Sequence, residues 1–235
     1  MLDNEAVGHL SGQESTVLPG ERVIENPVSG ERIVIRATAA QTGGDLLAWE
    51  LFLAPGGRVP SSHAHPQQEE RFTVVDGVLR FRVGGRRSTL RPGESVRVSP
   101  GRVHSFANPG RRTVHVLVET RPALGMQALL ETAAAMAAET QRRSWLLPSV
   151  PRPHELVLFM RDFQGEVRAP YLPAAVVRAV IGPLAWLVRR CGADQRYRRW
   201  RQRAGLSWPD RRPTAISSPE RRPTAISSPD RRPAA

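Results

Sequence analysis

The stretch Gly57–Gly77, GRVPSSHAHPQQEERFTVVDG, decides the reading of this chain, together with Gly93–Asn108, GESVRVSPGRVHSFAN. His63 and His65 are two residues apart, so on a strand they face the same way. Glu70 lies five residues beyond His65, which is the wrong parity for an unbroken strand, and Pro66 is placed to break it. After the break Glu70, Phe72 and Val74 share one face, while Glu69, Arg71 and Thr73 share the other. Arg71 belongs in solvent, so Glu70 is expected inward and Glu69 outward. His104 follows the Pro100-Gly101 turn on the same face as Phe106 and Asn108. Neutral imidazoles each offer a nitrogen, and three of them with one carboxylate suit a divalent transition metal.

Outward from these stretches the texture stays β. Ile33, Ile35 and Ala37 alternate with Arg32, Val34 and Arg36; Leu47, Trp49, Leu51 and Leu53 with Ala48, Glu50 and Phe52. Leu79, Phe81 and Val83 alternate with Arg80 and Arg82, and Val114, Val116 and Val118 with His115, Leu117 and Glu119. Period-two patterning with Gly- and Pro-containing turns between short runs predicts a sandwich or barrel.

The two quoted stretches read G-x5-H-x-H-x4-E-x6-G and G-x7-G-x2-H-x3-N, the second ending on Asn108. This pattern resembles the cupin superfamily. The one departure is Ser99, which stands where the family usually has Pro, with Pro100 following. The resemblance runs from Gly57 to Asn108 and covers less than half of the chain. It implies a mainly β fold, a single double-stranded β-barrel of the jelly-roll type, with a metal held inside by His63, His65, Glu70 and His104. The metal would be one divalent transition ion: Fe, Mn, Ni, Cu or Zn. Four protein ligands leave one or two positions for water, dioxygen or a substrate. Trp49, Leu51, Phe72 and Phe106 are candidates for the apolar pocket wall. Asn108 is read as holding a turn, and His115 as a strand-surface residue in preference to a fifth ligand.

The implied organisation has four parts. Residues 1–30 are a polar arm, 31–122 the barrel, 123–205 a helical extension and 206–235 a disordered tail. Small bacterial cupin proteins with such a C-terminal extension look similar. In the extension Met126, Leu129, Leu130, Ala133, Met136 and Ala137 recur at helical spacing. A second helix is expected near 154–167 and a third stretch over 173–203. The tail repeats PDRRPTAISS with period ten, too polar to bury a core. Its Arg-Arg-Pro-Thr units set Thr214 and Thr224 after paired arginines, which reads as repeat expansion in preference to a kinase site.

The chain of 235 residues has a formal charge of +12, and all of its 34 basic residues are Arg. Residues 189–235 carry 13 of these Arg against 4 acidic residues, whereas residues 1–122 carry 15 against 13. The basicity therefore belongs to the C-terminal appendage. It offers phosphate contacts but no recognition motif, so specific nucleic-acid binding is not expected. Leu172 to Val188 is apolar, but only ten residues separate Arg178 from Arg189. A span needs about 20. The expected role of 172–203 is packing on the barrel or in a homodimer with the arginines solvated. Weak contact with an anionic membrane is the alternative. A single cysteine, Cys191, excludes an internal disulfide and is read as an inert thiol. The acidic N-terminus argues against a signal peptide, so the expected location is cytoplasmic or membrane-peripheral.

Two functions fit this reading. One is a mononuclear metalloenzyme of the dioxygenase or isomerase type acting on a small organic molecule. The other is a non-catalytic cupin that binds a small ligand or metal and uses its extension for assembly or membrane attachment.

Overall fold

A computed structural model describes residues 21–59, 61–143, 151–170 and 173–204. The expected tail, the start of the arm and part of the Pro-rich link lie outside the described residues. Nine strands come first among the described residues: β1 Val23–Asn26, β2 Glu31–Ala37, β3 Leu47–Leu53, β4 Glu69–Asp76, β5 Leu79–Val83, β6 Arg86–Leu90, β7 Ser95–Val98, β8 His104–Ala107 and β9 Val114–Arg121. They make a six-stranded sheet, β1-β2-β3-β9-β4-β7, and a three-stranded sheet, β6-β5-β8. Every strand pair is antiparallel. The two-sheet barrel implied by the sequence is what the chain builds.

Alternation does the work here. β3 and β9 bury every second residue along their length. Their register sets Leu47 beside Thr120, Trp49 beside Val118 and Leu51 beside Val116. β4 continues the rows on the other side, with Glu70 beside Thr120, Phe72 beside Val118 and Val74 beside Val116. Directly opposed residues share a face, so Glu70 opens onto the interior along with a wall of apolar side chains. Burying such side chains stabilises the barrel by about 1.5–3 kcal/mol each. At the end of β4, Gly77 turns with φ of 83° while a Cβ there would stand 3.0 Å from Val114. Both the conformation and the close approach require glycine.

β1 is a departure from the expected arm. Val23–Asn26 pairs with β2, and Ile24 is buried in the main core. Two adjacent apolar residues, only one of them buried, do not alternate and were too weak a pattern to predict a strand.

The extension holds α1 Met126–Arg143, α2 Pro153–Asp162, α3 Ala174–Val176, a π-helical turn Val177–Ile181, α4 Gly182–Arg190 and α5 Gln195–Arg203. Met126, Ala128, Leu129 and Ala134 of α1 join the barrel core, as does Phe163. The buried stripe passes through Thr132 and Thr140, where Ala133 and Ala137 were expected. The expected helix near 154–167 stops at Asp162, because residues beyond it turn back to pair with the barrel. A second core forms from Met136, Leu158, Ala185, Tyr197 and Trp200. The expected solvated arginines are corrected in part. Arg189 and Arg201 pair with Asp162, Arg196 with Glu139 and Glu155, and Arg198 with Asp194.

Candidate metal centre

His63 and His65 stand in the short extended stretch before β4, and His104 begins β8. Backbone bonds in both directions join His63 and His104, 3.1 Å for His63 N to His104 O and 2.8 Å for the reverse. The Gly101 amide donates to the His65 carbonyl at 2.8 Å, so the turn preceding His104 also clasps the first histidine pair. Asn108 Nδ2 donates to the carbonyls of Leu53, Ala54 and Arg112, and its Oδ1 accepts from Gly110. It holds a turn, as expected. Thus most of the motif residues are the frame that brings the imidazoles together.

One ligand nitrogen from each of His63, His65 and His104 lies within 4.8 Å of the others. Glu70 Oε2 is 3.3 Å from His65 Nε2 and 3.1 Å from His104 Nε2. His65, Glu70 and His104 are buried and His63 is partly exposed, which puts it at the rim. Glu69 faces outward and pairs with Arg97.

The other ring nitrogens explain the orientation. Nδ1 of His63 is 3.0 Å from the Ser61 carbonyl, that of His65 is 2.6 Å from the Glu166 carbonyl, and that of His104 is 3.3 Å from the Arg102 carbonyl. A carbonyl only accepts, so each Nδ1 carries the proton and donates. In the neutral ring Nε2 is then a free lone pair, and those of His65 and His104 face Glu70. Glu70 Oε2 and His104 Nε2 are accordingly buried with no hydrogen-bond partner among the described residues. Two buried lone-pair donors facing each other are unfavourable unless a cation lies with them. The donor set, three imidazole nitrogens and one carboxylate, fits a divalent transition metal.

Electrostatics point the same way. Burial pushes the His63 ring down to about 3, and repulsion from His104 and His65 adds to it. Burial would lower His65 too, but the negative charge of Glu70 outweighs it, and His65 is held above its ordinary value. Burial would raise Glu70, yet the neighbouring His65 and His104 hold it well below the carboxylate range. Thr120 Oγ1 donates to the other oxygen, Glu70 Oε1, at 3.4 Å.

Around the cluster the walls are aromatic. Phe72 and Phe81 each lie 6.0 Å from His104, and Phe72 lies 5.6 Å from Phe106. Phe81, Thr120 and Glu166 were not singled out from the sequence. Period-two alternation on β5 could have pointed to Phe81; the other two act across strands and across 101 residues. Trp49 and Leu51 are buried in the barrel core, and Trp49 Nε1 has no hydrogen-bond partner among the described residues. His115 lies on the outer face of β9, stacked on Phe52 and 3.2 Å from Glu50. No helix among the described residues is long and apolar enough to cross a membrane.

Residues 49–119 match the family model described as Cupin domain. No curated protein matches the chain. Among solved structures, KdgF from Halomonas sp. is 19% identical over 42% of this chain and 84% of its own, with a TM-score of 0.38. An RmlC-like cupin from Shewanella frigidimarina NCIMB 400 is 19% identical over 48% of this chain and 93% of its own, with a TM-score of 0.40. A sugar phosphate isomerase of the cupin superfamily from Silicibacter pomeroyi DSS-3 is 19% identical over 43% and 68%, with a TM-score of 0.37.

Proposed function

Taking the barrel as a cupin domain, we propose that it holds one divalent transition metal through His63, His65, Glu70 and His104, and that the protein is a mononuclear metalloenzyme acting on a small organic molecule. The observation that carries this reading is the set of three Nδ1–carbonyl contacts, which leave the Nε2 atoms free, those of His65 and His104 lying 3.3 and 3.1 Å from a buried carboxylate oxygen of Glu70. A bound metal would polarise an oxygen of a bound molecule, the chemistry of oxidation or isomerisation. The chain's own residues do the rest. The carbonyls of Ser61, Glu166 and Arg102 orient the rings. Phe72, Phe81 and Phe106 keep water from the buried side.

The test is elemental analysis of protein purified under metal-replete conditions. About one equivalent of metal per chain is expected, lost in His63→Ala and His104→Ala. Metal-free native protein would overturn the reading.

The alternative, a non-catalytic binding cupin, draws on the same walls, since the side chains flanking the cluster are aromatic and carry no acid or base. Metal-loaded protein that binds small acids or sugars without turning any over favours it.

A second reading concerns the extension. Val176, Val180, Leu184 and Leu187 recur at helical spacing and are exposed, and Trp186 beside them is 64% exposed. Arg178 and Arg190 belong to the same elements, and no acidic residue lies between Arg168 and Asp194. This surface is proposed to rest on an anionic membrane, its apolar stripe in the interface and its arginines at the headgroups. Sedimentation with anionic vesicles at low salt tests it. Protein that ignores the vesicles but runs as a dimer assigns the stripe to self-association instead.

A further inference from the structure

The small sheet has two faces, and the outer one is unlike the rest of the barrel. Leu79 and Phe81 of β5 point inward, so Arg80 and Arg82 point away from the metal cluster. The register extends this across the sheet. Arg80 stands between Thr89 of β6 and Ala107 of β8, and Arg58 bridges to Ala107 from the far side. In the next row Arg82 stands between Arg87 and Ser105. Directly opposed residues share a face. The small side chains of Ala107 and Ser105 therefore form a floor between arginine walls, and the result is an open groove of about 880 Å³ with no acidic residue in its lining.

Arg58, Arg80, Arg82 and Arg87 are all exposed, and none pairs with a carboxylate among the described residues. Three other barrel arginines are neutralised: Arg36 by Glu21 and Glu50, Arg97 by Glu69, Arg121 by Asp45 and Glu119. Arg82 directly opposite Arg87 is a like-charge cross-strand pair, an arrangement that costs stability. An anion lying over the pair removes the cost and satisfies guanidinium forks suited to phosphate oxygens.

We propose that this groove binds a small molecule carrying two phosphate groups. One phosphate lies over Ala107 between Arg58 and Arg80, and the other over Ser105 at Arg82 and Arg87. The two rows are two residues apart, roughly 7 Å along the strand. Four guanidiniums balance two phosphates, each carrying about −1.5 to −2 at neutral pH. Ser105 and Thr89 supply hydroxyl donors at the floor and edge. The groove's volume is that of a small-ligand site. Its aromatic residues, Phe81 and Phe106, are buried beneath the floor, so there is no platform on which nucleic-acid bases could stack.

The experiment titrates glucose 1,6-bisphosphate into the full-length protein at physiological salt and follows heat and thermal midpoint. This probe chelates metal weakly because its phosphates lie apart. Native protein is expected to bind it about tenfold or more tightly than glucose 1-phosphate. Arg82→Gln/Arg87→Gln is expected to lose about tenfold in affinity. The same variant should melt above the native protein in phosphate-free buffer, since the like-charge pair is gone, which also shows that it folds. Arg211→Gln/Arg212→Gln in the terminal repeat should leave affinity within about twofold. Equal binding of the mono- and bisphosphate, unchanged affinity in Arg82→Gln/Arg87→Gln, or no binding at millimolar bisphosphate overturns the proposal. So does an oligonucleotide that binds through the same arginines more tightly than the bisphosphate. None of these outcomes depends on whether the barrel holds a metal.

Discussion

The Nδ1–H of His65 donates to the backbone carbonyl of Glu166 at 2.6 Å, across 101 residues of chain. The contact is braced on both sides. Ala64 and Arg168 exchange backbone bonds of 3.0 and 2.8 Å. Glu166 also turns its carboxylate to the backbone of Gly125, just before α1, where a Cβ would meet Glu166 Oε1 at 2.7 Å. The helical extension therefore completes the histidine cluster and does more than cover the barrel. Gln68 adds a third tie, donating to the carbonyls of Pro122 and Ala123 where the barrel passes into the extension.

Arg168→Pro removes the N–H that Ala64 accepts while leaving the barrel strands untouched. The expected result is a metal affinity about 10–100-fold weaker, the usual cost of losing a group that orients a metal-bound histidine. Competition against a calibrated chelator measures it. Unchanged affinity would show that the extension is dispensable for the site.

Thr120→Val takes away the hydroxyl that faces Glu70 Oε1 without changing the side chain's shape. A loss of about 1 kcal/mol in stability is expected, with weakened metal binding. Denaturant midpoints with and without metal separate the two effects, and the gap between native and variant should widen when metal is present.

Burial pushes the Glu31 carboxyl above its ordinary value, and the hydrogen bond from Ser29 only partly opposes this. The folded state therefore holds this proton more tightly than the unfolded chain. The associated stability is fully present below the unfolded value and is lost as pH rises through the folded one. Glu31→Gln should raise the urea midpoint at pH 7 and leave it nearly unchanged at pH 4. Equal effects at both pH values would show that ionisation of Glu31 does not matter to folding.

Leu158 is fully buried in the second core. Leu158→Ala should cost about 2–5 kcal/mol of stability in the extension. Because Glu166 follows that helix, metal affinity should fall as well. Hydrogen exchange would register the loosening in α2 and α5 ahead of β3 and β9.

The cluster of His63, His65, Glu70 and His104 was legible in the sequence because its determinants are local. Strand parity puts His63 and His65 on one side. Pro66 resets the phase for Glu70, and glycines mark the turns that return the chain to His104. Period-two alternation likewise located β2, β3, β5 and β9, while β1, β6 and β7 were missed because each carries a single buried apolar residue. What only the tertiary structure decided depends on neighbours far apart in sequence. Glu166 reaches His65 because α1 and α2 fold back on the sheet. Asp162, Glu139, Glu155 and Asp194 neutralise arginines that the sequence had placed in solvent. Exposed Arg82 meets Arg87 because a hairpin lays β6 against β5. The total of +12 is the same on either level of description. Which charges are paired, and which four are gathered unpaired over one groove, follows from strand register and helix packing, since charges interact through distance in space and not along the chain.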